Sequence, residues 1–146
     1  MFAGPISLMT AVAPHLPRRR VLLIDDDDVI ADSLRRYLVL QGCDVDVAVD
    51  PVSAAAIMRT NAYDSIVVDP YLTGAIHAGS TSLLTSIGSL QPFASTIVLT
   101  GYPSPELSRA AADCRLAAVL TKPQSVVAIG ELVTALPQYS SKGQPE

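Results

Sequence analysis

Short apolar runs alternate with longer stretches of helical periodicity along almost the whole chain. Val21-Leu22-Leu23-Ile24 is a continuous apolar run that stops at Asp25-Asp26-Asp27-Asp28, and it predicts a first buried strand. Ile30, Leu34, Tyr37, Leu38 and Gln41 then recur at helical spacing, with acids before them and Gly42 after, so both helix termini are signalled. Val45, Val47 and Val49 alternate with Asp44, Asp46 and Ala48, the pattern of a half-exposed strand near a sheet edge. Asp50-Pro51 predicts a cap followed by proline at the first helical position, with Ala54, Ala55, Ile57 and Met58 continuing the helix.

The second half repeats the alternation. Ser65-Ile66-Val67-Val68 is a strand that ends on Asp69, and a loop from Pro70 to Gly79 leads to a Ser/Leu-rich helix from about Ser80 to Leu90. Ser95 to Thr100 is a strand finishing on a hydroxyl. Ser104, Pro105 and Glu106 start a helix through Leu107, Ala110, Ala111 and Cys114. Leu116 to Leu120 is the fifth strand, Thr121-Lys122-Pro123 its exit, and Val126, Ile129, Leu132, Val133 and Leu136 the last amphipathic stripe before Pro137. Strands alternating with helices imply right-handed βαβ units on one parallel sheet, hence an α/β domain with helices on both faces. Residues 1–18 are expected to form a flexible N-terminal arm, 19–137 the domain and 138–146 a disordered tail.

Composition fits that picture and narrows the function. A chain of 146 residues is one domain by size, and 49% hydrophobic against 16% charged residues suits strands covered on both faces. The net charge of -4 and a pI of about 5.0 argue against nucleic-acid binding, whose footprint is basic. No apolar run approaches the ~18 residues needed to cross a bilayer. Phe2 to Ala13 is followed, not preceded, by Arg18-Arg19-Arg20, the reverse of a signal peptide. Cys43 and Cys114 lack metal-ligand spacing and read as reduced core thiols of a cytoplasmic protein. The arginine run reads as a soluble boundary before a buried strand.

The candidate chemistry lies at the strand ends. In a parallel α/β sheet, ligands bind in the crevice outside the carboxyl ends of the strands. The first, third, fourth and fifth strands bring Asp25-Asp26, Asp69, Thr100 and Lys122 to that edge. Crowded carboxylates repel one another unless a cation sits among them, and Mg²⁺ is the hard ion for carboxylate and water oxygens. A lysine charge and a threonine hydroxyl in the same crevice suit a phosphoryl group transferred to a carboxylate. Asp27 and Asp28 read as helix N-terminal residues and His77 as a solvated loop residue.

Val-Leu-Leu-Ile-Asp25-Asp26, Ser-Ile-Val-Val-Asp69, Ile-Val-Leu-Thr100-Gly101 and Leu-Thr-Lys122-Pro123, in this order and spacing, resemble the receiver domain of bacterial two-component response regulators over roughly Arg19 to Leu136. The resemblance implies a flavodoxin-like fold with a five-stranded parallel sheet of order 2-1-3-4-5. It implies that Asp69 accepts a phosphoryl group from a histidine kinase or phosphotransfer protein. Asp25, Asp26, Asp69 and the backbone carbonyl of Tyr71 would hold Mg²⁺. Thr100, Lys122 and the amides of Tyr71 and Gly101 would bind the phosphoryl oxygens. Such a protein is a stand-alone phosphorelay switch and not an enzyme in the usual sense. It would signal through an unknown downstream protein, without direct nucleic-acid or membrane contact, and a homodimer is one assembly the resemblance allows.

The chain departs from the family pattern at three places. Val119 stands where a Tyr or Phe usually turns inward on activation, Pro70 directly follows the acceptor, and Thr73 replaces a later proline. Val119 and Pro70 motivate a second reading, a degenerate receiver that binds partners independently of phosphorylation. A third, a haloacid-dehalogenase-like phosphatase with Asp25 as nucleophile, leaves Asp69 without a role and lacks the acidic pair expected beyond Lys122.

Overall fold

The computed structural model describes residues 18–71, 79–114 and 116–138. Five strands, β1 (Arg20–Ile24), β2 (Asp44–Ala48), β3 (Ser65–Val68), β4 (Ser95–Thr100) and β5 (Ala118–Thr121), alternate with helices α1 (Asp28–Leu40), α2 (Pro51–Thr60), α3 (Gly79–Leu90), α4 (Pro105–Asp113) and α5 (Val126–Ala135). All strand pairs are parallel, in the order β2-β1-β3-β4-β5. The chain leaves β1 toward β2 and then crosses back to β3 on its other side. The strand order therefore reverses between β1 and β3, and a crevice opens at their carboxyl ends.

Period-two side-chain alternation divides the core into two clusters, one on each face. Leu22 and Ile24 of β1, Ile66 and Val68 of β3 and Val98 of β4 pack with α2, α3 and α4 through Ala54, Met58, Leu84, Ile87 and Leu107. Val21, Leu23, Val67, Ile97 and Leu99 turn to the other face and pack with α1 and α5 through Leu34, Leu38, Ile129 and Val133. Central strands buried on both faces are continuous apolar runs for this reason. Gly130 lies where α5 meets α1, and a Cβ there would run into the Tyr37 ring.

The helix termini follow the sequence signals. Asp27 caps α1 by accepting from the amides of Val29 and Ile30, Asp50 caps α2 ahead of Pro51, and Ser104 caps α4 ahead of Pro105. Gly42, just past α1, takes a φ of 93°, the left-handed conformation that glycine enters without a Cβ penalty. Ser125 caps α5 through the Ala128 amide.

Three expectations are corrected. The fifth strand begins at Ala118, not Leu116, because the Leu116 amide still bonds back to Ala111 O and the ladder starts with Ala118 beside Ile97. In edge strand β2 the alternation is blurred: Val47 is exposed, while Asp46 is half-buried because its carboxylate accepts from the Tyr63 hydroxyl at 2.6 Å. Of the two thiols, Cys43 is buried but Cys114 is only half-buried; both are free.

The arginine run does more than mark a boundary. Arg18 pairs with Asp44 at 3.0 Å, and Arg19 donates to the Thr134 carbonyl. Arg20 donates to the Ala62 carbonyl and lies 5.2 Å from the centre of the Tyr63 ring. Their long stems let the charges reach partners across the amino end of the sheet. At that same end the buried Gln91 side chain accepts from the Tyr63 amide and donates to the carbonyls of Met58 and Asn61. The Asp64 carboxylate accepts from the Arg20 amide. Residues 1–17 of the expected arm, 139–146 of the expected tail, and 72–78 of the expected loop, which include Thr73 and His77, lie outside the described residues, whereas Arg18, placed in the arm, is tied to the edge strand.

Two glycines give opposite expectations. Gly130→Val forces the α1–α5 contact apart and lowers unfolding free energy by about 1–3 kcal/mol. Gly88→Ala, in α3, meets nothing within 4 Å of the new Cβ and raises it by about 0.4–1 kcal/mol. Urea denaturation of the two variants checks both signs.

Candidate phosphoryl-acceptor site

Main-chain bonds place each functional side chain. The Asp25 amide donates to Ala48 O just beyond β1, the Asp69 amide to Ile24 O just beyond β3, and the Lys122 amide to Thr100 O just beyond β5. Asp25, Asp69 and Lys122 are therefore the first residues past their ladders, all on the carboxyl edge, and Thr100 is the last residue of β4. The Lys122–Pro123 peptide is cis.

The lysine ammonium is the centre of the cluster. Lys122 Nζ lies 3.1 Å from Asp25 Oδ2 and 3.0 Å from Asp69 Oδ2. Both carboxylates are buried, at 6% and 7% exposure. The other oxygen of each is held locally: Asp25 Oδ1 accepts from the Asp27 amide at 2.9 Å and Asp69 Oδ1 from the Tyr71 amide at 2.9 Å. Burial pushes the Asp25 carboxyl up, more than the Asp27 amide and Lys122 pull it down, and the nearby Asp69 charge adds to the rise. Burial works against the charge on Lys122, but its bonds to Asp69 and Asp25 and their two charges outweigh it and hold the ammonium above its usual range. Lys122 thus holds its proton more firmly than a free lysine, and the Asp25 charge is disfavoured.

The other expected residues are placed as follows. Asp26 follows Asp25, half-buried. Thr100 is fully buried, and its Oγ1 accepts from the Tyr102 amide at 3.0 Å. Gly101 is exposed, with open space where a Cβ would be. Pro70 is buried and Val119 is 41% exposed. The tyrosines that follow the two strand ends meet: the Tyr71 and Tyr102 rings pack edge to face with centroids 5.8 Å apart. The Tyr71 hydroxyl lies 2.9 Å from Ser104 Oγ, the α4 cap. Sequence reasoning found Ser104 at the start of its helix and Tyr71 beside the acceptor, but not this link; side-chain reach between two loops leaves no periodic signal.

Among the described residues no group of three or more His, Cys, Asp or Glu side chains is assembled as a metal site. The donor chemistry still fits a hard cation. Asp25 and Asp69 offer carboxylate oxygens close enough to share one positive charge, here the Lys122 ammonium, and burial leaves the Asp25 charge in want of more compensation. Among the described residues no helix is long and apolar enough to cross a membrane.

The comparisons with known proteins agree with this fold. The family model of the response regulator receiver domain matches residues 21–135. A response regulator receiver protein of Anaeromyxobacter is 30% identical over 117 residues, covering 78% of this chain and 47% of its own length. The transcription factor SKN7 of Candida albicans is 32% identical over 94 residues, 64% of this chain and 16% of that protein. The chain thus spans less than half the length of these curated relatives. A receiver domain protein (CheY-like) from Methanospirillum hungatei superposes with a TM-score of 0.74 at 26% identity, covering 82% of this chain and 93% of that one. A Burkholderia pseudomallei response regulator, solved with a phosphorylated aspartic acid, a calcium ion and citrate, gives 0.69 at 30% identity, over 86% of this chain and 71% of that one. By fold, strand order and family match, the chain belongs to the response regulator receiver domain family, phosphorelay modules that carry out their own phosphotransfer and dephosphorylation and are not enzymes in the usual sense.

Proposed function

We propose that Asp69 is the phosphoryl acceptor, that the donor is the phosphohistidine of a kinase or phosphotransfer protein, and that the reaction requires Mg²⁺. The observation that carries this reading is the buried Asp69 carboxylate held between the Lys122 ammonium and the Tyr71 amide. An Asp69 oxygen attacks phosphorus, a P–O bond forms as the P–N bond breaks, and the imidazole nitrogen leaves with the electron pair and takes a proton. Lys122 meets the charge that the phosphoryl oxygens bring, and the Thr100 hydroxyl and the amides of Tyr71 and Gly101 donate to those oxygens. The chain supplies position and fixed charge, which is most of what phosphoryl transfer asks of a protein. Asp25, Asp26, Asp69 and the Tyr71 carbonyl would hold Mg²⁺, which neutralises phosphoryl charge when bound. The signal passes to a downstream protein that binds the altered surface. A receiver that works without phosphorylation is the second reading, favoured by the exposed aliphatic Val119 where an aromatic would report activation.

Incubation with acetyl phosphate and Mg²⁺ followed by intact mass separates the two. The wild-type chain gains one phosphoryl group, Asp69→Asn gains none, and Lys122→Ala gains it about 10²-fold more slowly. An unmodified wild-type chain would overturn the first reading in favour of the second.

The raised Asp25 carboxyl sets a second expectation. Because its folded pKa lies above the unfolded value, the ionised carboxylate opposes folding at neutral pH, and that opposition disappears as pH falls through the folded pKa. Without metal, Asp25→Asn therefore melts higher than wild type at pH 7, and the difference shrinks toward acid pH. Mg²⁺ at a hundredfold over its Kd stabilises wild type by about 2.7 kcal/mol and Asp25→Asn much less. Melting curves with EDTA and with Mg²⁺ across pH test both statements.

A further inference from the structure

Phosphorylation at Asp69 needs a route to the surface, and the usual aromatic is replaced by Val119, whose branched side chain has no ring to turn. The structure holds another aromatic path beginning at the acceptor itself. The Tyr71 amide donates to Asp69 Oδ1, and the Tyr102 amide donates to Thr100 Oγ1. Each tyrosine is thus anchored, through its own backbone, to one of the two groups that would engage a phosphoryl group. Their rings pack edge to face. The Tyr71 hydroxyl is bonded to Ser104 Oγ, and that same oxygen accepts from the Leu107 amide as the N-cap of α4.

We infer that the Tyr71–Ser104 hydrogen bond, supported by the Tyr71–Tyr102 ring contact, transmits the state of Asp69 to the first turn of α4. The inference rests on Asp69 being the phosphoryl acceptor. When Asp69 becomes an acyl phosphate, it loses its carboxylate charge and with it much of its hold on the Tyr71 amide, since a charged acceptor makes roughly twice as strong a bond as a neutral one. When the Thr100 hydroxyl turns to donate to the phosphoryl oxygens, the lone pair that accepts the Tyr102 amide turns with it, and the amide must follow. Both anchors change together, so the paired rings shift as a unit and pull on one atom, Ser104 Oγ. A cap oxygen serves an otherwise unpaired helix amide, and its displacement loosens the first turn. Ser104 is a positioning residue here: it touches neither acceptor nor phosphoryl group.

The test uses the full chain with acetyl phosphate and Mg²⁺, reading intact mass and amide hydrogen exchange on the same samples. In wild type, phosphorylation changes exchange across Ser104 to Ala111 by roughly two- to tenfold, the scale of one net hydrogen bond. Ser104→Gly keeps a residue that N-caps tolerate but removes the oxygen. It takes up the phosphoryl group as wild type does, and its α4 exchange no longer responds. Ser104→Thr restores the hydroxyl and the response. In Tyr71→Phe, the response per phosphorylated molecule is lost. The inference is overturned if phosphorylated Ser104→Gly responds like wild type, or if wild type carries the phosphoryl group without any change at α4. Absence of the phosphoryl group from wild type would instead overturn the assignment of Asp69, and the inference with it.

Discussion

Everything at the carboxyl edge depends on two buried carboxylates sharing one ammonium. Like charges in a poorly solvated crevice repel strongly, and here the sheet forces them together: β1 and β3 are neighbours, so the residues just beyond them must be neighbours too. Lys122, arriving from an edge strand two positions away, relieves that repulsion. Burial leaves the Asp25 charge disfavoured even with the lysine in place. A site meant to accept an anionic group must keep a positive charge within reach without spending it fully on the resting state. Lys122 meets that need by bonding one oxygen of each acid while backbone amides hold the others.

Most of the architecture was legible in the sequence because the relevant forces are periodic. Ser65 to Val68 and Ser95 to Thr100 could be bounded to the residue, since apolar β-branched runs end abruptly at Asp69 and Gly101. The caps at Asp27, Asp50 and Ser104 were legible because capping is a local bargain between a side chain and amides two or three residues on. The carboxyl-edge residues could be grouped as soon as the strands were taken to be parallel. Edge strands were read less well. Leu116 and Ala117 are apolar but stand outside the ladder, and Asp46 looks like a solvent-facing residue in a pattern that could not reveal the Tyr63 hydroxyl waiting for it. The contacts made by Arg18 to Arg20, by Gln91 and by the Tyr71 hydroxyl were illegible for a shared reason. Long polar side chains choose partners by three-dimensional reach, which leaves no imprint on spacing.

Position 119 shows how a family pattern and its physical purpose can separate. The valine there is exposed on the edge strand and carries no ring to turn. A chain with that residue either does without a rotating ring or finds its rings elsewhere, and two tyrosines shortly beyond the third and fourth strands are already in contact.

The amino end of the sheet is fastened very differently. Gln91 ties α3 to the end of α2 and to the segment leading into β3, Arg19 ties β1 to α5, and Asp64 ties the start of β3 to that of β1. A domain stitched along one rim and held along the other by a few replaceable charges resembles a folding fan, riveted at the handle and free at the leaves. Among the described residues, a change at the carboxyl rim therefore meets fewer side-chain ties between distant segments than a change at the amino rim does.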